Sequence, residues 1–462
     1  MDGYTSSESK RLMIACCAAA FITPLLSTMM NLSLDALGKE FEVGSHALGY
    51  VNTAFLLSSV IFLIPLAKLG DIVGKRKMFI FGVLTVALAC IAAPFSPNFW
   101  MVIVCRAVIG VGAAALACTS VSMIADVFDS GRRGWALGIN TTCVYLGLAL
   151  GPFIGGMLND ALGWRALFYV ILPFAAIAIA FVLSFRHEIA PDRGEKLSVS
   201  GSVLYGVSIL LAMGGVINLP ELWAVILLII GAALGAVFLR SQIRSENRIL
   251  EVGLFRNRMF SGSCAAAFLN YASSYSISFF MALYLQSVQG LSATEAGTMM
   301  LVQPAVQALL SSYFGRKSDL MADKRILPTA GMILIAIGVA SIMFYSIDTP
   351  AWCIISMMVL VGFGFAMFSA PNTSLIMSSV PPQETGEASA MVSVMRQTGM
   401  MVSMGIAMTL ISVIMGSADN IVPETYGDYM EVMRITFAIC TVMCLAGAAA
   451  SMLRGKGNQE SF

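Results

Sequence analysis

The sequence predicts an all-helical protein that crosses a membrane many times. Hydrophobic residues fill 58% of the 462 positions and charged residues only 11%, where a soluble domain carries about 25%. Mean hydropathy is +0.84. Apolar runs of about 20 residues, the helical length that crosses about 30 Å of hydrocarbon, recur from one end of the chain to the other. Lys and Arg gather in alternate connecting segments, as they do where a chain weaves through a bilayer.

Fourteen runs are read as spans: 12–34, 46–67, 78–96, 99–124, 134–157, 165–185, 199–219, 222–240, 259–284, 293–313, 326–347, 350–373, 387–414 and 433–453. The first follows only Lys10 and Arg11 and has no small-residue cleavage pattern, so it reads as a span and not as a removed leader. With the N-terminus cytoplasmic, about 22 of the 27 Lys and Arg fall in cytoplasmic segments. Lys39, Arg165 and Arg434 then lie at the outer face, and Arg106 and Arg396 inside spans. Both termini are therefore expected in the cytoplasm, with the chain multi-pass in the cell membrane.

The second span ends in Ala67-Lys68-Leu69-Gly70-Asp71-Ile72-Val73-Gly74-Lys75-Arg76-Lys77. Gly74 permits a backbone conformation that side chains resist, and Asp71 is placed to meet a helix N-terminus or the loop cations. A weak counterpart follows the tenth span. Superposing Asp71 on Asp319 brings Arg76 over Lys324 and Lys77 over Arg325, an offset of 248 residues. Duplication of this kind fits two six-span bundles, at 1–185 and 259–462. Two further spans with flanking polar cytoplasmic loops are inserted at 186–258.

The fourth span embeds Arg106 among Gly110, Gly112 and Ala113 to Ala115. A charge at that depth costs several kcal/mol unless it is paired or wet, so it marks function or a bond to backbone carbonyls. The fifth span holds Gly138, Gly147, Gly151, Pro152, Gly155 and Gly156. Small residues three or four apart form a stripe along which another helix can approach closely, and Pro152 removes one helical hydrogen bond. Arg396, in the thirteenth span, is the second embedded cation. All 26 Asp and Glu fall in loops or at span ends, Asp126 being the best placed to exchange protons. Residues that can face a central cavity are Thr28, Asn31, Asn52, Asn270, Tyr271, Gln303, Asn372, Arg396 and Gln397. Each polar group alone is more often an interhelical hydrogen bond than a ligand.

These motifs resemble the major facilitator superfamily. The glycine–proline spacing is similar to the fifth-span antiporter signature of its drug–proton branches. The turn Gly70, Asp71, Gly74, Lys75 and Arg76 resembles the loop signature that holds the cytoplasmic gate in one state. It departs at Ala67, where the pattern has Gly, and at Ile72, where it usually has a basic residue. Arg106 resembles the Arg of the fourth-span signature, which is linked to proton transfer, with Ile109 in place of the usual Gln. Ser369 to Thr373, Val380-Pro381-Pro382, Gly386 to Ser389, Arg396-Gln397, Leu254 to Arg258, Tyr284 to Gln286 and Glu295 to Gly297 resemble the fourteen-span drug–proton antiporter branch. The resemblance covers nearly the whole chain. It implies proton-coupled efflux of amphipathic or drug-like small molecules by alternating access.

One departure bears on the substrate. Exporters of cationic drugs in that branch usually carry a first-span Asp, and aligning the accompanying Asn on Asn31 puts Leu26 in its place. Asp35 lies past the apolar stretch. Two embedded cations without an embedded anion lean toward anionic or neutral amphipathic substrates, or toward proton exchange at span ends. A same-fold carrier for a metabolite anion held by Arg106 and Arg396 stays open, as does a non-transporting membrane sensor.

Other classes find no support in the residues. The ten Cys all fall in apolar runs without a C-x-x-C pattern, and the only histidines are His46 and His187. No metal or cofactor is therefore expected. No phosphate-cradling loop is present, so the chain itself does not use ATP. No basic stripe with interleaved aromatics points to nucleic acid. The spans lack a nucleophile–base pair, and the chain is not expected to be an enzyme. The expected partners are a small-molecule substrate, protons and the lipid bilayer.

Overall fold

The computed structural model describes residues 6–128, 130–185, 187–189, 197–244, 248–250, 252–321, 323–380, 385–416 and 421–454. The extreme termini, Pro381 and Pro382, and the side chains of Asp319 and Glu387 lie outside that description. The described residues are helical with no strand. In chain order the helices are α1 (Ser6–Met29), α2 (Leu34–Phe41), α3 (Ser45–Val73), α4 (Lys75–Ala92), α5 (Phe99–Val127) and α6 (Ser130–Leu162). Next come α7 (Ala166–Tyr169), α8 (Ile171–Ser184), α9 (Val199–Ile217), α10 (Leu222–Arg244), α11 (Arg258–Ser274) and α12 (Ser276–Leu283). The last six are α13 (Ala293–Met300), α14 (Val302–Leu320), α15 (Ile326–Ser341), α16 (Ala351–Ser378), α17 (Thr385–Ile414) and α18 (Tyr426–Leu453).

Local chemistry sets several of these boundaries. The Asn98 side chain accepts the Met101 N–H at 3.0 Å and starts α5. Asn257 does the same for Met259 and Phe260 at α11, and Ser292 with Glu295 forms a reciprocal capping box at α13. Gly74, at φ +115°, separates α3 from α4. Its backbone lies where a side chain would be strained.

Twelve helices among the described residues are long and apolar enough, by length and composition, to cross a membrane. The runs 259–284 and 293–313 are not among them, and each is divided into shorter helices. The first is divided into α11, α12 and a π-helical turn at Tyr284–Val288. Near its break, Ser273 and Ser274 both donate their hydroxyls to the Asn270 carbonyl, at 2.8 and 2.6 Å, and so compete with the helical ladder. The second is broken at Leu301 into α13 and α14. Pro304 has no N–H to offer the Met300 carbonyl, and its ring crowds that turn.

The chain divides into two compact units. One comprises Met1–Leu210, Glu246–Ile249 and Leu291–Leu301, the other Leu211–Ser245, Leu250–Gly290 and Val302–Phe462. In the first, α1 packs on α6 and α8, α5 lies between α3 and α4, and α13 packs on α6. Small residues allow this: an added Cβ at Gly112 would stand 2.8 Å from the Gly82 carbonyl oxygen. In the second, α11 packs on α17 and α18, and α16 on α14 and α15. Leu88, Val104, Ile229 and Val442 are among many large apolar side chains left exposed, the surface a bilayer would cover.

Candidate functional site

The α3–α4 turn is held by carboxylates from three parts of the first unit. Lys75, Arg76 and Lys77 crowd the N-terminal end of α4, where the helix dipole disfavours cations. Lys75 Nζ lies 2.7 Å from Asp126 Oδ2 at the end of α5 and 3.5 Å from Asp71 Oδ1 at the end of α3. Glu188 accepts the Arg76 backbone N–H at 2.9 Å, capping α4 from the segment after α8. The Arg76 side chain donates from Nε to the Val182 carbonyl at 3.2 Å. A Cβ on Gly74 would run into the Glu188 carboxylate, so this glycine serves both the strained turn and the docking of Glu188. Gly70 is buried beside Met78 and Thr119 at ordinary contact distance. The structure thus joins the turn to Asp126, which the sequence placed in a separate role. Asp126→Asn keeps the shape and removes the charge, and is expected to weaken the turn by about 1 kcal/mol, the range of partly exposed ion pairs. Faster trypsin cleavage at Lys75 to Lys77 checks this, and an unchanged cleavage rate would refute it.

Arg106 is fully buried in α5. Its Nε donates to the Val51 carbonyl of α3 at 3.0 Å, and its guanidinium carbon lies 4.8 Å from the centre of the Phe55 ring. The cation is stabilised by a carbonyl dipole and an aromatic face. Close approach of α3 makes this possible, since a Cβ on Gly110 would meet the Phe55 carbonyl and the Ser58 hydroxyl. Leu26, standing where the first-span acid would be, is buried at 1% exposure.

The glycine stripe of α6 serves two neighbours. Added Cβ atoms at Gly147 and Gly155 would stand 2.6 Å from the Phe21 carbonyl oxygen and 2.8 Å from Met29 Cα, both in α1. One at Gly151 would strike the Thr28 hydroxyl. One at Gly156 would strike the Ala293 carbonyl of α13, and reciprocally one at Gly297 would strike the Pro152 carbonyl. Just beyond the stripe, Asp160 accepts N–H bonds from Ala293 at 3.2 Å and Thr294 at 2.7 Å, capping α13. Gly138 has nothing within 4 Å of an added Cβ.

The residues expected at a cavity separate into distinct settings. Thr28 donates its hydroxyl back to the Pro24 carbonyl at 2.9 Å. Asn52 Nδ2 donates to Asn31 Oδ1 at 2.8 Å, linking α3 to the turn after α1. Asn270 is fully buried in α11, and its amide group has no hydrogen-bond partner among the described residues. Tyr271 lies against Phe365, ring centres 6.0 Å apart. The Gln303 carbonyl faces Gly362. Gln397 is buried and Arg396 half-buried in α17. Asn372 donates to the Ser263 carbonyl at 3.1 Å and accepts from Arg454 at 2.6 Å. A groove of about 470 Å³ in the first unit is lined by Met13, Cys17, Phe21, Ile139, Cys143 and Phe174 among others, and by none of these nine residues.

Three participants were not singled out from the sequence: Glu188, Asp160 and Arg454. Each reads locally as a polar residue flanking an apolar run. The run Lys75 to Lys77 signals a need for carboxylates, but nothing in the sequence says that Glu188, 112 residues from Arg76, supplies one.

Twelve helices long and apolar enough, among the described residues, to cross a membrane fit a multi-pass membrane protein. The sequence profile of the Major Facilitator Superfamily matches residues 16–404 and 263–457, and the chain belongs to that superfamily. It is 28% identical over 393 residues to the multidrug resistance protein Stp of Mycobacterium tuberculosis H37Rv, covering 84% of this chain and 73% of Stp. It is 27% identical over 389 residues to the riboflavin transporter RibZ of Clostridioides difficile, covering 83% of this chain and 84% of RibZ. The fold is similar to that of a bacterial homologue of the human lysosomal transporter Spinster, solved inward-facing and unoccupied. The TM-score is 0.66 at 17% identity, covering 98% of each chain.

Proposed function

We propose that this chain is a fourteen-span, proton-coupled exporter of amphipathic or drug-like compounds that works by alternating access, with both termini cytoplasmic. The interrupted rods at 258–288 and 293–320 are taken as the ninth and tenth spans beside the twelve others. Helices α9 and α10 are the pair inserted at 186–258 between bundles at 1–185 and 259–462. One observation carries the reading: Gly147, Gly151, Gly155 and Gly156 each stand against α1 or α13 too closely for a side chain. That is the packing an antiporter-type spacing in α6 calls for. The names of Stp and RibZ support small-molecule substrates. In this reading a proton reaching Asp126 loosens its pair with Lys75 and opens the cytoplasmic turn, while Arg106 supports proton movement. A carrier for a metabolite anion is the second reading, favoured by buried Arg106 and half-buried Arg396 in spans whose carboxylates stand only at helix ends.

Membrane vesicles supply the test. Dye or riboflavin flux should follow an imposed pH gradient and collapse with a protonophore. Flux of carboxylates alone would favour the second reading, and no flux of either kind would end both. Orientation is checked by thiol labelling in a background without reactive native cysteines. Cysteines replacing Arg132, Arg248 and Lys317 should resist an impermeant reagent in intact cells, and one replacing Asp348 should react. Labelling at Lys317→Cys would invert the topology.

A further inference from the structure

Arg454 stands one residue past α18 and is 2% exposed. Its Nη1 donates to Asn372 Oδ1 at 2.6 Å and to Ser263 Oγ at 2.9 Å, tying the end of α18 to α16 and α11. Gly262 of α11 lies directly against its Cβ, which fixes the stem. Nε and Nη2 are also buried and have no hydrogen-bond partner among the described residues. These two nitrogens form the side-on edge of the guanidinium. Their N–H bonds run side by side at the spacing of two oxygens of one carboxylate or phosphate.

Charges nearby do not complete this edge. Asp323 and Arg325 both act on Arg454. Asp323, however, is engaged by Arg325 through Nε at 2.9 Å and Nη2 at 2.8 Å. Burial first, then the Arg325 charge, draws Arg454 down to about 10, so it remains a cation at neutral pH. A buried cation with three of its five N–H donors unspent among the described residues is costly where nothing accepts from them.

We propose that Arg454 is an oxyanion-binding residue that takes a phosphate or carboxylate group on its Nε–Nη2 edge. The bound anion then fastens the adjoining ends of α11, α16 and α18. This is a statement about binding and stands or falls apart from the transport reading. The test uses the full-length protein in a non-ionic, phosphate-free detergent, its thermal unfolding followed against added inorganic phosphate, acetate or phosphatidylglycerol. Chloride at matched ionic strength is the reference. At ten times Kd the oxyanion should raise Tm by about 2 °C. A shift with phosphate or acetate identifies a soluble anion as the source, and a shift with phosphatidylglycerol alone identifies a lipid headgroup. Arg454→Lys keeps a cation for Asn372 and Ser263 but loses the fork, and should weaken the effect at least about tenfold. If the parent protein responds to none of these beyond chloride, or if the Lys variant responds equally, the site is refuted. The parent titration decides even where the variant fails to fold.

Discussion

Gly156→Ala is expected to abolish transport, while Gly138→Ala leaves it at the parental level. Both changes add one methyl group to the same helix, and both glycines belong to the same spacing. At Gly156 the new Cβ meets the Ala293 carbonyl, with Thr294 Cα only 2.9 Å away. That carbonyl is backbone in the first turn of α13, and Asp160 holds the same turn through the Ala293 and Thr294 N–H groups. The methyl can be accommodated only by moving α13 off α6. The cost is about 1–3 kcal/mol of overpacking plus about 1 kcal/mol for a weakened cap. At Gly138 the methyl meets nothing within 4 Å, and replacing a helical glycine gains up to about 1 kcal/mol in helix propensity. Flux in vesicles, normalised to protein in the membrane, separates the two. Parental flux from Gly156→Ala would show that this contact is not needed for transport.

Arg106→Lys is expected to cut coupled transport at least tenfold, with each ~1.4 kcal/mol of lost stabilisation counting for one such factor. The cation is kept, but the Nε bond to Val51 and the planar face on Phe55 are both lost. A lysine ammonium is a compact, strongly hydrated charge that carbonyl and ring satisfy poorly at zero exposure. If Arg106 supports proton movement, flux should lose its dependence on the pH gradient while residual downhill flux persists. If it holds an anionic substrate, KM for that anion should rise and the pH dependence of neutral-substrate flux should stay. Unchanged flux with unchanged pH dependence would remove Arg106 from the mechanism. Paired with Asp126→Asn, the experiment also reports whether the buried cation and the turn act in one step. Coupled sites give non-additive losses.

Membership in a transporter superfamily was legible in local pattern. The spacing Gly138 to Gly156, the Asp71–Gly74–Lys75 turn and the isolated Arg106 all lie within single short stretches. The two interrupted runs were legible only in part. Hydrophobicity marked 259–284 and 293–313 as long enough to cross, but it is blind to backbone hydrogen bonding. Pro304 withholds an N–H from the ladder at one break, and at the other the Ser276 N–H turns to the Ser403 hydroxyl at 3.0 Å. Within the stripe itself, Gly138 and Gly156 look alike in sequence, and differ because only one of them has a neighbouring backbone in front of it.

A helix in lipid must satisfy its own backbone within its own segment. For that reason length and hydropathy were enough to predict long apolar helices, twelve of which the described residues show, where the sequence was read as fourteen. Polar side chains obey no such local rule, because their partners come from wherever the fold delivers them. Asn52 finds Asn31 across 21 residues, Lys75 finds Asp126 across 51, and Arg454 finds Ser263 across 191. Nothing in the flanking residues distinguishes Arg454, buried against two helices, from an arginine that merely borders a span. Its donors, and their unspent edge, exist as a site only once α11, α16 and α18 are brought together.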